Sequence, residues 1–109
     1  MVYNVAMDRF DALADPNRRK IIELLANHGE LSATQICDRF KVSPPAISQH
    51  LKILREANLV TMQKKAQQRI YQVNPDAMLE LESWAKGIAQ LWNQRFETLD
   101  KLLEVEKRR

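Results

Sequence analysis

A chain of 109 residues, 45% hydrophobic and 28% charged, is sized for one compact domain, or for one domain plus an extended arm. It contains no apolar run long enough for a membrane span, and the start Met1-Val-Tyr-Asn-Val-Ala-Met-Asp8 lacks the basic and apolar regions of an export signal, so a cytoplasmic location is expected. The single cysteine, Cys37, cannot form an intrachain disulfide, and the net charge of +3 is spread unevenly.

From Lys41 to Arg69 six cations (Lys41, Lys52, Arg55, Lys64, Lys65, Arg69) face Glu56 as the only acid, which is the electrostatic footprint of a polyanion partner. Before that segment, Asn4 to Ala14 spaces Val5, Met7, Phe10, Leu13 and Ala14 among charges and predicts a short amphipathic helix. Asp15-Pro16 restarts the chain with a cap and a proline, and Ile21, Ile22, Leu24 and Leu25 predict a second helix from Pro16 to about Asn27, ended by Gly29. Its first turn holds Arg18, Arg19 and Lys20, where the helix dipole disfavours cations. An anionic neighbour such as a phosphate is one account, and a solvated patch is the other.

Ser32-Ala-Thr-Gln35 is a capping box, predicting a third helix through Ile36, Cys37 and Phe40. Only Lys41-Val42 separate it from the next cap, Ser43, and from Pro44, whose fixed φ suits the first turn of a helix. When the stretch Val42 to Arg55 is projected as a helix and continued to Ala57, Ala46, Ile47, Leu51, Ile53, Leu54 and Ala57 share one arc, and Pro45, Ser48, Gln49, Lys52 and Arg55 share the opposite one. The polar arc carries hydroxyl and amide groups for base edges and long cations for phosphates, without an acid to repel a duplex. His50 falls in the apolar arc and reads as a packed or hydrogen-bonded structural residue. Two helices joined so tightly, the second polar on its outer face, make a helix-turn-helix.

After Ala57-Asn58 the pattern alternates. Leu59 to Lys64 and Arg69 to Val73, separated by Lys65-Ala-Gln-Gln68, predict a hairpin with a basic, amide-rich tip, which after a helix-turn-helix is a wing. Asn74-Pro75 then opens a helix whose pattern continues to the end, interrupted only by Gly87. Met78, Leu81, Ala85, Ile88, Trp92, Leu99 and Leu102 follow a heptad-like stripe widened by Trp84, Leu91, Phe96, Leu103 and Val105. At 1.5 Å per residue, about thirty residues extend roughly 45 Å, more than one small domain covers, so a second copy of the chain is expected on the stripe.

The expected fold is thus mainly α with a small β-hairpin: one winged helix-turn-helix domain over 1–109, dimerised through its N- and C-terminal helices. Residues 1–14 and 74–109 are assigned to dimerisation and 15–73 to DNA binding. The expected DNA-binding residues are Ser43, Pro44, Pro45, Ser48, Gln49, Lys52 and Arg55 with Lys64, Lys65, Gln67, Gln68 and Arg69 of the wing. The expected dimer interface uses Val5, Phe10, Trp84, Ile88, Leu91, Trp92, Phe96 and Leu99.

Three blocks carry a resemblance: Leu13-Ala-Asp-Pro-Asn-Arg-Arg-Lys-Ile-Ile-Glu-Leu-Leu25, Pro45-Ala-Ile-Ser-Gln-His-Leu-Lys-Ile-Leu-Arg-Glu-Ala-Asn-Leu-Val60, and Tyr71-Gln-Val-Asn-Pro75 leading to Trp84. On these the chain resembles the ArsR (SmtB-like) family of winged-helix repressors, and with Trp84 to Leu103 it is similar to the non-metal branch that includes the SdpR-type autorepressors. The resemblance implies a homodimeric repressor acting on a pseudo-palindromic operator, its own promoter included. It also brings Pro44, Pro45, Ser48 and Gln49 to the bases. Metal-sensing members carry Cys-x-Cys where this chain has Ser32 and Thr34, and no histidine follows His50, so neither a metal nor another cofactor is expected. Where the family usually has Gly then Arg at the wing, this chain has Ala66-Gln67.

The alternative function is a winged-helix protein-interaction module without DNA binding, against which the basic segment stands because a protein-binding groove more often exposes apolar surface. An enzyme is not expected. The sequence has no glycine-rich phosphate loop or nucleophile elbow, and Ser48 and His50, two apart on a helix, point in different directions.

Overall fold

The structure, a computed structural model, describes residues 8–108. The elements run α1 (Arg9–Leu13), α2 (Pro16–His28), β1 (Leu31–Ser32), α3 (Ala33–Cys37), α4 (Pro44–Glu56), β2 (Val60–Lys65), β3 (Gln68–Val73) and α5 (Pro75–Arg108). They form two compact units, one up to Ala77 and one from Met78 onward. The expected helical residues 4–7, and with them the interface candidate Val5, lie outside the described residues.

Each helix of the first unit starts where a side chain satisfies its orphan amides. Asp8 accepts from the Phe10 N–H, Asp15 from those of Asn17 and Arg18, and Ser43 from that of Ala46. At α3 the capping box is complete, with the Gln35 N–H donating to Ser32 Oγ at 3.1 Å and the Ser32 N–H donating to Gln35 Oε1 at 2.9 Å. That helix is shorter than expected. It stops at Cys37, and Phe40 lies in the following turn, its N–H donating to the Cys37 carbonyl.

α4 ends in a Schellman motif. Asn58, at φ 59°, takes the left-handed position, its N–H donates to the Arg55 carbonyl at 3.0 Å, and the Leu59 N–H donates to the Leu54 carbonyl at 2.9 Å. Leu54 and Leu59, the two residues this closure brings together, are fully buried. They join Ile21, Leu25, Ile36, Ile47 and Leu51 in one core under the sheet.

The sheet has three strands rather than two, in the order β1-β3-β2, all antiparallel. Leu31 pairs with Tyr71 and Ser32 with Ile70, an addition to the expected hairpin. In the hairpin Val60 pairs with Val73 and Lys65 with Gln68, so the turn is Ala66-Gln67 and both strands reach one residue nearer the tip than expected. Ala66 sits at φ 56°, a conformation glycine adopts more readily.

The second unit is the remainder of α5, a continuous helix through Gly87. Its large apolar side chains, Trp84, Ile88, Leu91, Trp92, Phe96, Leu99, Leu102, Leu103 and Val105, are exposed in the single chain. Trp92 and Phe96, one turn apart, meet edge to face with ring centroids 5.0 Å apart. No described helix is long and apolar enough to cross a membrane.

Candidate nucleic-acid interface

α4 divides as its sequence predicts. Ile47, Leu51, Leu54 and Ala57 are buried, Ala46 and Ile53 half-buried, and Pro45, Ser48, Gln49, Lys52 and Arg55 all exposed. The division follows from the helical period, which gives each residue type one side. Ser43 and Pro44, at the start of the helix, are exposed as well.

A groove runs between this polar side and the wing. Pro45, Ser48, Gln49, Lys52 and Arg55 line it from α4, Arg69 and Tyr71 from β3, and Leu51 and Ala33 from beneath. Three cations and three uncharged hydrogen-bonding side chains therefore line one concavity that no acid lines. Tyr71, which sequence reasoning did not select, is buried and supplies an aromatic wall. Strand alternation is the signal for it, because residues two apart share a face and Arg69 and Tyr71 are two apart.

The wing candidates separate by the same alternation. The pairs Val60–Val73, Met62–Tyr71 and Lys64–Arg69 share the face that carries the buried Val60 and Tyr71, whereas Lys65 and Gln68 share the opposite face. There Lys65 Nζ lies 3.6 Å from a Glu30 carboxylate oxygen that also accepts from Gln72 Nε2 at 3.0 Å. Arg69 thus stands beside the polar side of α4, Lys64 is its partner on that face, Lys65 is engaged behind the sheet, and Gln67 sits in the turn.

Two of the three cations at the start of α2, Arg18 and Arg19, have a different explanation from either of those expected. Arg18 donates through Nε to the Ala12 carbonyl at 2.6 Å and through Nη2 to that of Asp11 at 3.3 Å. Arg19 Nη1 donates to the carbonyls of Leu13 and Ala14 at 2.7 and 3.1 Å. Both guanidinium groups cap the C-terminal carbonyls of α1, where a helix dipole favours positive charge. Arg18 Nη1 also lies 3.5 Å from Nδ1 of the half-buried His50, consistent with a hydrogen-bonded structural histidine. Beside them, burial opposes ionisation of Asp15. The N–H groups of Arg18 and Asn17 and the charges of His50 and Arg18 together outweigh it and hold that carboxyl below the usual carboxylate range.

Among the described residues no group of three or more His, Cys, Asp or Glu is placed to hold a metal ion. Cys37 is half-buried and unbridged.

Residues 15–62 match the family described as "Bacterial regulatory protein, arsR family", a span running from the cap of α2 into β2. The transcriptional repressor SdpR of Bacillus subtilis is 37% identical over 75 residues, covering 69% of this chain and 82% of that protein. An HTH-type transcriptional regulator of Mycobacterium tuberculosis is 35% identical over 97 residues, covering 89% and 87%. Among solved structures, an ArsR-like transcriptional regulator from Rhodococcus sp. RHA1 superposes with a TM-score of 0.73 at 26% identity, covering 85% of this chain and 87% of that one. The chain belongs to the arsR family of bacterial regulatory proteins and is a DNA-binding transcriptional regulator.

Proposed function

We propose that this regulator is a cytoplasmic homodimeric repressor that binds a pseudo-palindromic operator, its own promoter being the first site to test. In this reading residues 15–73 bind DNA and residues 74–109, helped by residues 1–14, hold two copies together. Ser43, Pro44, Pro45, Ser48 and Gln49 approach base edges in the major groove. Lys52, Arg55, Lys64 and Arg69 neutralise phosphates, and Lys65, Gln67 and Gln68 of the tip stand at the edge of the contact.

The observation that carries the reading is the acid-free groove in which Ser48 and Gln49 sit between Lys52, Arg55 and Arg69. Amide and hydroxyl groups reach acceptors and donors on base edges, while long cations around them meet the backbone on either side. Dimerisation is supported by the apolar side of α5, since Leu91 and Trp92 are 62% and 57% exposed in the single chain. A contiguous patch of that kind marks an interaction surface. Two copies of α4 on a two-fold axis, roughly 34 Å apart, meet successive major grooves on one face of a duplex.

The test is an electrophoretic shift with DNA from the protein's own promoter, over a salt series, for wild type and Gln49→Ala. Wild type should bind more weakly as salt rises. Gln49→Ala should lose about 1 to 3 kcal/mol on the cognate site and little on random DNA. An unchanged cognate-to-random ratio would remove Gln49 from base reading. A wild type that binds neither its promoter nor sites selected from a random pool would end the repressor reading.

A further inference from the structure

A second concave surface lies ahead of α4, between α2 and the turn that joins α3 to α4. Lys20 of α2 and Arg39 and Lys41 of the turn between α3 and α4 rim it, over a floor formed by Leu24, Phe40 and Val42. The three cations are exposed, and none has an ion-pair or hydrogen-bond partner for its side chain among the described residues. The nearest acids in the sequence, Glu23 and Asp38, do not line it. Arg18 and Arg19 are committed to the carbonyls of α1, which leaves Lys20 as the cation of that first turn turned toward another partner.

From this we infer that Lys20, Arg39 and Lys41 form a second phosphate clamp, which grips the DNA strand opposite the one met by Lys52, Arg55 and Arg69. The inference rests on the DNA-binding reading of α4 and adds which strand each end of the helix holds. Lys41 precedes the Ser43 cap by two residues, whereas Arg55 lies in the last turn. From Ser43 to Arg55 the helix advances about 18 Å at 1.5 Å per residue. The major groove is about 12 Å wide, so a helix of this length set obliquely across it, with Ser48 and Gln49 at the base edges, has cations beyond both ends that meet the two bordering backbones. Cations on one end alone would leave the helix free to pivot about a single strand. The concave shape suits a rounded backbone, and its apolar floor offers the long stems of Lys20, Arg39 and Lys41 a surface that leaves their charged heads in solvent.

The experiment compares the full-length wild type with a triple variant, Lys20→Ala with Arg39→Ala and Lys41→Ala. A charge-conserving triple, Lys20→Arg with Arg39→Lys and Lys41→Arg, and the pair Lys52→Ala with Arg55→Ala complete the set. Operator affinity is measured against salt, on DNA in which single phosphates are replaced by neutral methylphosphonates, and urea unfolding midpoints confirm that each variant is folded. The alanine triple should lower the slope of log K on log salt by about 2 to 3 per protomer, leave the cognate-to-random ratio unchanged, and be restored by the charge-conserving triple. Phosphates whose neutralisation weakens wild type but not the alanine triple should lie on one strand of each half-site. Those silenced by the Lys52 and Arg55 pair should lie on the other. A salt-dependent wild type with an unchanged slope in the alanine triple, or both sets falling on one strand, would overturn the clamp and leave the reading of α4 intact. A wild type that binds no DNA would instead sink that reading and the clamp together.

Discussion

Nε of Arg18 donates a 2.6 Å hydrogen bond to the main-chain carbonyl of Ala12, so a side chain from the first turn of α2 closes the end of the helix before it. The same guanidinium reaches the Asp11 carbonyl and His50 Nδ1, and the residue therefore joins α1, α2 and α4. A planar fork with several fixed donors suits this task, whereas a lysine ammonium on a flexible stem does not. Arg18→Ala should cost on the order of 1.5 to 3 kcal/mol in urea unfolding, because carbonyls lose charge-assisted partners. Arg18→Lys should recover less than half of that. Full recovery by lysine would show that only the charge matters.

Asp15 makes the stability of α2 depend on pH. Its side chain accepts from the Asn17 and Arg18 N–H groups at 2.8 and 3.2 Å, and its folded carboxyl titrates below the ordinary value. A folded value below the unfolded one means that the ionised form is the stabilised form. The contribution is therefore complete above about pH 4, the ordinary carboxylate range, and is lost as pH falls through the lowered folded value. Asp15→Ala should cost about 0.5 to 2 kcal/mol at neutral pH. Asp15→Asn keeps an acceptor without the charge, so the stability gap between wild type and this variant should shrink as urea unfolding is moved from pH 7 toward pH 3. A gap that widened in acid would reverse the assigned sign.

These residues show where sequence reasoning reached and where it stopped. The split of α4 into buried Ile47, Leu51 and Leu54 against exposed Ser48, Gln49 and Lys52 was legible because one helical period and one cap determine it. The strand at Leu31–Ser32 was not, since two residues have no periodicity and Ser32 already served as a helix cap. Arg18 and Arg19 looked misplaced in a first turn because the carbonyls they bind belong to the preceding helix, which local dipole reasoning does not see. The parity of the wing depended on a turn of two residues at Ala66-Gln67, and with alanine in a left-handed conformation the usual glycine signal was missing.

That parity gives a prediction for the wing. Lys64 and Arg69 share the face of the sheet beside α4, whereas Lys65 is paired with Glu30 on the other face. Lys64→Ala and Arg69→Ala should each weaken operator binding and lower the salt slope by about one unit per protomer. Lys65→Ala should do neither to a comparable extent. Equal losses for all three in a filter-binding salt series would mean that the tip meets DNA through charge density alone, without regard to strand face.

Trp92 tests whether the helix that follows the wing is a precondition of DNA binding. It stands in the middle of the apolar side of α5, half-exposed in the single chain and edge to face with Phe96. Against a second copy its ring would bury on the order of 200 Å², and a carboxylate in its place would have to lose its water without a partner. One copy of α4 offers few contacts and hence weak affinity, whereas two on a dimer make the second contact at high effective concentration. Trp92→Glu should therefore sediment as a monomer and lose operator affinity in step, while the milder Leu91→Ser should raise the dimer dissociation constant and bind DNA at correspondingly higher protein concentration. Circular dichroism and unfolding midpoints separate dissociation from loss of fold. A folded monomeric Trp92→Glu that bound the full palindrome as tightly as wild type would show that dimerisation is not needed for recognition. A Trp92→Glu that stayed dimeric with unchanged affinity would take Trp92 out of the interface.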